Sequence, residues 1–203
     1  SLEVSSFAKS LGQNIAENIL TYKRDSGFTP RMKEDICNIL QCAGLIHDIG
    51  NPPFGHSGEK AISTYFSEGK GLALKSQLSS MEWEDLTHFE GNANAFRLLT
   101  HQFLGRRKGG FVMTYSTLAA IVKYPFPSVL AGKKSKFGFF TSEENSYLKI
   151  AEELGIKRLS KEGEPPQYAR HPLVYLVEAA DDICYQMMDI EDAYKLKLLT
   201  PKE

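Results

Sequence analysis

Cysteine is scarce in this chain, at Cys37, Cys42 and Cys184 only. An odd number without knuckle spacing excludes a disulfide scaffold and a cysteine-built zinc site. It reads as the reduced core thiols of a cytoplasmic protein. Long apolar runs are also missing, since no stretch approaches the roughly 18 residues of a membrane span. The opening Ser1-Leu2-Glu3-Val4 enters an amphipathic pattern at once and has none of the features of a signal peptide. Charge of one sign is lacking too: 24 Lys and Arg against 25 Asp and Glu leave a formal net charge of −1. No global basic field draws nucleic acid, which enters the expectations only as a regulator. There is no internal repeat and no low-complexity tract. A start without Met, in mid-pattern, reads as a fragment of a longer protein.

What is present is helical periodicity. Residues 3–22 predict a helix with Phe7, Leu11, Ile15 and Ile19 on one stripe. Thr29-Pro30 supplies an N-cap and a first-turn proline for a second helix. Its apolar positions Ile36, Leu40 and Ala43 lead to His47, whose imidazole should therefore point inward. Gly50 and Pro52-Pro53 end that helix.

The densest chemistry lies in His47-Asp48-Ile49-Gly50-Asn51-Pro52-Pro53-Phe54-Gly55-His56-Ser57-Gly58-Glu59. A buried His beside a carboxylate needs partners for its polar atoms, and a metal ion serves both. An isolated His-Asp pair is more often a core histidine and a helix-ending aspartate. A second His and a Glu three residues apart shift the balance. His56 and Glu59 would share a face of the next helix, as a base and the carboxylate that orients it.

Further on, a short helix is predicted to about Phe66, then an irregular polar stretch over 73–87, then a helix from about Phe89. His88, Glu90 and Asn92 read equally well as supporting polar groups and as a solvated face. Arg106-Arg107-Lys108 is a basic turn. The helix 113–122 ends at Lys123-Tyr124-Pro125, where a Lys and a Tyr suit either anion binding and stacking or ordinary packing. Residues 132–140 interleave basic and aromatic side chains around Lys136. A helix over 142–154 follows, and His171 before Pro172 reads as structural. The last helix, roughly 172–190, places Asp181, Tyr185 and Asp189 in line at i, i+4 and i+8. An Asp in so apolar a helix should be paired or metal-bound, although an acidic surface stripe fits the spacing as well.

The string from His47 to Glu59 resembles the central motif of the HD superfamily of metal-dependent phosphohydrolases. More narrowly, it is similar to the deoxyguanosine triphosphate triphosphohydrolase (dGTPase) branch, which includes dNTP triphosphohydrolases. Phe89-Glu90-Gly91-Asn92, Lys123-Tyr124-Pro125, Lys136-Phe137-Gly138 and Glu178-Ala179-Ala180-Asp181-Asp182-Ile183 match further segments of that branch. The resemblance implies an all-α, HD-domain helical bundle over residues 1–203, one domain of a larger helical protein. It implies metal ligands at His47, Asp48 and Asp181, with Asp182 as the alternative to Asp181 and a further His expected immediately before Ser1.

By the same resemblance His56 and Glu59 are catalytic. Lys123, Tyr124 and Lys136 meet the nucleotide, and Tyr185 and Asp189 line the deoxyribose pocket. The implied reaction is hydrolysis of a deoxynucleoside triphosphate to deoxynucleoside and tripolyphosphate. The cofactor is a divalent cation, Mn²⁺ or Mg²⁺ foremost, with Fe²⁺, Ni²⁺ or Zn²⁺ also fitting such ligands. A cytoplasmic homo-oligomer without membrane attachment is the expected setting. Two other readings share the motif: an HD nucleotidase or phosphodiesterase, and a nucleotide-sensing HD subunit without turnover.

Overall fold

The structure, a computed structural model, describes residues 1–23, 27–105, 108–132 and 135–200. The turn at Arg106-Arg107, the lysines Lys133-Lys134 and the final Pro201 to Glu203 lie outside the described residues. The elements are α1 (Leu2–Tyr22), α2 (Pro30–Ile46), α3 (His56–Ser67), α4 (Ser80–Thr87), α5 (Gly91–Thr100), α6 (Tyr115–Ile121), α7 (Glu144–Glu153) and α8 (Pro172–Lys195), with short 3-10 segments between them. No strand forms among the described residues, only isolated bridges at Pro127–Phe139 and Arg158–Tyr168. The fold is all-α. None of its described helices is long and apolar enough to cross a membrane.

Two compact units make up the chain: residues 1–45 with the chain from Tyr175 onward, and residues 46–174. In the first unit, α2 starts as expected, with the Thr29 hydroxyl accepting from the Met32 N–H at 3.2 Å and Pro30 in the first turn.

The packing face of α1 is not the predicted one. Phe7 and Ile15 are 44% and 42% exposed, whereas Val4, Ser5, Ala8, Gly12 and Ala16 are buried. Small residues let the backbone of α2 come close. A Cβ on Gly12 would strike the Leu40 side chain, and one on Gly44 would stand 2.8 Å from the Ser5 Cα. The Ser5 hydroxyl donates to the Gln41 carbonyl at 2.7 Å. A hydropathy stripe marks large apolar residues and is blind to a seam built from Gly, Ala and Ser. On α8 the buried line is Val177, Ala180 and Cys184.

The second unit packs around α5, whose Ala93, Ala95, Phe96 and Leu99 are buried. Phe96 meets Tyr147 of α7 edge-on at 5.9 Å, and Tyr147 stacks on Phe139 at 4.8 Å. Aromatic pairs of this kind add to the area they bury. The stretch expected to be irregular is instead a 3-10 segment, Lys70–Gln77, followed by α4. A capping box explains α4. The Ser79 hydroxyl accepts from the Glu82 N–H, and the Glu82 carboxylate accepts from the Ser79 N–H at 2.9 Å. Ser79→Ala should cost about 1 kcal/mol by denaturant unfolding. Asp85 then ties α4 to the following core by accepting from the Thr141 N–H at 2.7 Å, while burial pushes its carboxyl above the usual range.

Candidate active site

The chain leaves α2 at Ile46 and turns through residues 47–50. His47 is buried, as its place on the apolar stripe predicts. Its Nε2 lies 3.2 Å from Asp48 Oδ2, while the other Asp48 oxygen accepts from the Asn51 side-chain amide at 2.8 Å. Both carboxylate oxygens are therefore oriented by the loop itself. Gly50 sits against the backbone of α5, where a Cβ would collide with the Ala95 N–H and the Gly91 carbonyl. Backbone atoms cannot swing aside as side chains do. Gly50→Ala should accordingly lower stability by about 3 kcal/mol, read as a fall in thermal midpoint.

Phe54 and Gly55 follow with positive φ angles of 67° and 54°. This left-handed step swings the chain into α3 at His56, and Phe54 is left in solvent. A non-glycine residue held at positive φ is strained, and such strain gathers at functional sites.

His56 and Glu59 meet one turn apart, with His56 Nδ1 2.8 Å from Glu59 Oε2. The His56 side chain is 86% exposed and that of Glu59 only 13%. The other Glu59 oxygen accepts from the Gly91 N–H at 2.7 Å. Burial pushes the Glu59 carboxyl up, but the bonds from His56 and Gly91 and the charge of Lys136 together hold it below its ordinary value. Glu59 is thus an ionised acceptor at neutral pH. Its lowered value adds stability above the normal carboxylate range, and that contribution disappears as pH falls through the folded value. With Nδ1 donating to Glu59, His56 Nε2 is left to face a reactant.

Lys136 closes this corner. Its ammonium is 2.9 Å from Glu90 Oε1 and 3.7 Å from Glu59 Oε2. Burial works against its charge, yet these carboxylates outweigh it and raise its pKa. For the more deeply buried Glu90, desolvation wins and the carboxyl is pushed up despite Lys136. The second Glu90 oxygen caps α5, accepting from the Asn92 and Ala93 N–H groups at 2.6 and 3.1 Å.

The start of α5 also holds the other loops. The Asn92 side chain donates to the Ile121 carbonyl at 2.7 Å and accepts from the Lys123 N–H at 3.1 Å. Asn94 donates to the Gly50 carbonyl at 2.8 Å. A Cβ on Gly138 would strike the Tyr124 carbonyl, so the Lys136 loop lies directly on the segment of Lys123 and Tyr124. The Tyr124 ring carries the Arg170 guanidinium 5.6 Å from its centre.

One cluster in the second unit therefore joins His56, Glu59 and Lys136, with the backbone at Lys123 pinned to the same helix end. His47 and Asp48 stand together in the loop that leads into it. Asp181, Tyr185 and Asp189 occupy successive turns of α8 in the first unit, with Asp181 partly exposed and Tyr185 66% exposed. Sequence reading left Glu90 and Asn92 undecided and gave Asn94 no role. Their spacing carries no hint of the loops they hold, which lie 29 to 46 residues away. Of the other candidates, His88 turns to Glu84 at 3.1 Å, and His171 accepts from the Leu173 N–H at the start of α8, as a structural residue would.

A pocket of about 350 Å³ opens beside the dyad, lined by His56, Glu59, Lys60, Ser63, Phe89 and Lys136. A larger cavity of about 510 Å³ is lined by other residues, among them His101, Tyr115, Glu143 and Lys149, and none of the residues of the dyad's pocket lines it.

The pattern of the HD domain family matches residues 1–192, through both units. The chain belongs to the HD domain family. Within that family its relatives place it in the dGTPase-like branch. It is 44% identical to a deoxyguanosinetriphosphate triphosphohydrolase-like protein of Pseudomonas aeruginosa over 100% of the chain and 45% of that protein. A protein of the same name from Synechocystis is 39% identical over 98% of the chain and 47% of its own length. The deoxyguanosinetriphosphate triphosphohydrolase of Serratia proteamaculans is 34% identical over 95% of the chain and 43% of that protein. This HD chain spans less than half the length of these relatives.

Proposed function

We propose that this HD domain serves a metal-dependent phosphohydrolase that converts deoxynucleoside triphosphates to deoxynucleoside and tripolyphosphate. The observation that carries the reading is the His56–Glu59 pair at 2.8 Å, set beside Lys136 in an open pocket. A polarised imidazole next to a cation suits proton transfer at a phosphoester. Names of the relatives support the substrate class.

In this reading His47, Asp48 and Asp181 hold a divalent cation through one imidazole nitrogen and two carboxylate oxygens. Such a mixed nitrogen and oxygen set fits Mn²⁺ or Mg²⁺, and also Fe²⁺, Ni²⁺ or Zn²⁺. The inward, partnered His47 and the fixed carboxylate of Asp48 suit that role. When bound, the ion supplies Lewis-acid polarisation of a phosphoryl oxygen.

The remaining work falls to the chain's own groups. Water attacks the α-phosphorus and the bond from phosphorus to the 5′-oxygen breaks. His56 Nε2 carries the proton, taken from the water or given to the departing 5′-oxygen, while Glu59 holds the ring through Nδ1. Lys123 and Lys136 bind phosphate oxygens, and Tyr124 packs against the nucleoside. Tyr185 disfavours a 2′-hydroxyl by steric contact, and Asp189 accepts from the 3′-hydroxyl.

Ion chromatography of products from the whole protein, with Mn²⁺ and each dNTP and NTP, tests the proposal. Tripolyphosphate and deoxynucleoside from dNTPs, with little from NTPs, is the expected result. Orthophosphate from nucleoside monophosphates would instead make it a nucleotidase. Tight dNTP binding without product would leave a sensor.

A further inference from the structure

Of the two lysines proposed to bind phosphate oxygens, Lys136 is already engaged. One ammonium there faces two carboxylates, Glu90 at 2.9 Å and Glu59 at 3.7 Å. Glu59, Glu90 and Lys136 together thus carry a net negative charge before a polyanion arrives, and since Lys123 does not line this pocket, a further cation is needed on its wall. Lys60 is in position. His56, Glu59, Lys60 and Ser63 follow one another at i, i+3, i+4 and i+7, which is one face of α3, and all four line the same pocket. Among the described residues Lys60 makes no ion pair, so its charge is unspent. It stands four residues beyond His56, or about 6 Å along the helix axis. A triphosphate chain extending from the reacting phosphorus covers a distance of that order.

We infer that Lys60, with the Ser63 hydroxyl beside it, forms a subsite for the terminal phosphate and so selects triphosphates over shorter phosphate chains. This inference rests on the triphosphohydrolase reading. Lys136 serves the reacting end of the chain, where its carboxylate partners hold it, and Lys60 serves the far end. The two roles separate by chain length. A general electrostatic effect would weaken every anion alike, whereas a terminal subsite is felt only by a ligand long enough to reach it.

The test uses Lys60→Ala, an exposed change to a good helix former that leaves α3 intact, with Lys60→Arg as the conservative variant. Losing one charged hydrogen bond should weaken inorganic tripolyphosphate, measured by calorimetry, and raise KM for dNTPs, each about tenfold. Affinity for pyrophosphate and for dNDPs should stay within twofold of wild type, by roughly the scatter of a surface substitution. Lys60→Arg should recover most of the loss, and Ser63→Ala should show a smaller shift in the same direction. Unchanged tripolyphosphate affinity in Lys60→Ala overturns the subsite, and so does an equal loss for pyrophosphate and tripolyphosphate. A wild-type protein that yields no tripolyphosphate from any dNTP, yet loses tripolyphosphate binding selectively in Lys60→Ala, keeps the subsite and removes the triphosphohydrolase reading.

Discussion

Replacing His56 with alanine should lower kcat by about 10²–10⁴-fold, the contribution of a positioned acid–base group. Metal content, nucleotide binding and the thermal midpoint should stay close to wild type, because the ring is exposed and, among the described residues, bonds only through Nδ1 to Glu59. Glu59→Gln should fall between the two. Its amide oxygen still accepts from His56 Nδ1, but the negative charge facing the ring is gone. Kinetics of the two variants against a product-specific assay decide the matter. A His56→Ala protein with near-normal kcat would remove the dyad from the chemistry and leave Lys136 and the metal ligands as the reactive groups.

Asp181→Ala should remove the cation altogether. Loss of an outer partner of a metal ligand already costs about 10–100-fold in affinity, and loss of a carboxylate ligand exceeds that. Titration of the apo protein with Mn²⁺ should show affinity falling by more than about 100-fold and turnover falling to background. Asp182→Ala, one residue on and exposed on α8, should bind Mn²⁺ as wild type does. The opposite pattern would move the ligand to Asp182. Because His56→Ala keeps the ion and Asp181→Ala loses it, the pair separates proton transfer from metal binding in one comparison.

Much of this organisation was legible beforehand because it is local. Thr29-Pro30 caps a helix by short-range hydrogen bonding, and the i, i+3 spacing of His56 and Glu59 puts them on one face in any α-helix. His47 faces inward because it continues the apolar stripe of α2. The capping box of α4 is equally local; Ser79 and Glu82 mark it, and it was the polar composition of that stretch that hid it.

The α1 seam escapes a hydropathy pattern for a different reason. Hydropathy rewards Phe7 and Ile15, but the buried face is chosen by how close α2 can come; Gly44 lies against the α1 backbone at Ser5, and Gly12 makes room for the Leu40 side chain. Whether large or small residues line a helix seam depends on the partner surface, which a single-helix pattern does not contain.

The amino-acid sequence by itself determined the all-α class, the helix starts, the inward His47 and the His56–Glu59 spacing, since each depends on residues within a turn or two. The HD motif followed from the same short string. Only the tertiary structure decided that Glu90 clamps Lys136, that Asn92 and Asn94 pin the loops of Lys123 and Gly50, and that Lys136 and Phe89 line one pocket with the His56, Glu59 and Lys60 face of α3. The bonds among them join residues 29 to 46 positions apart. Their partners are set by packing of the core around Phe96 and Tyr147, and not by the order of residues along the chain.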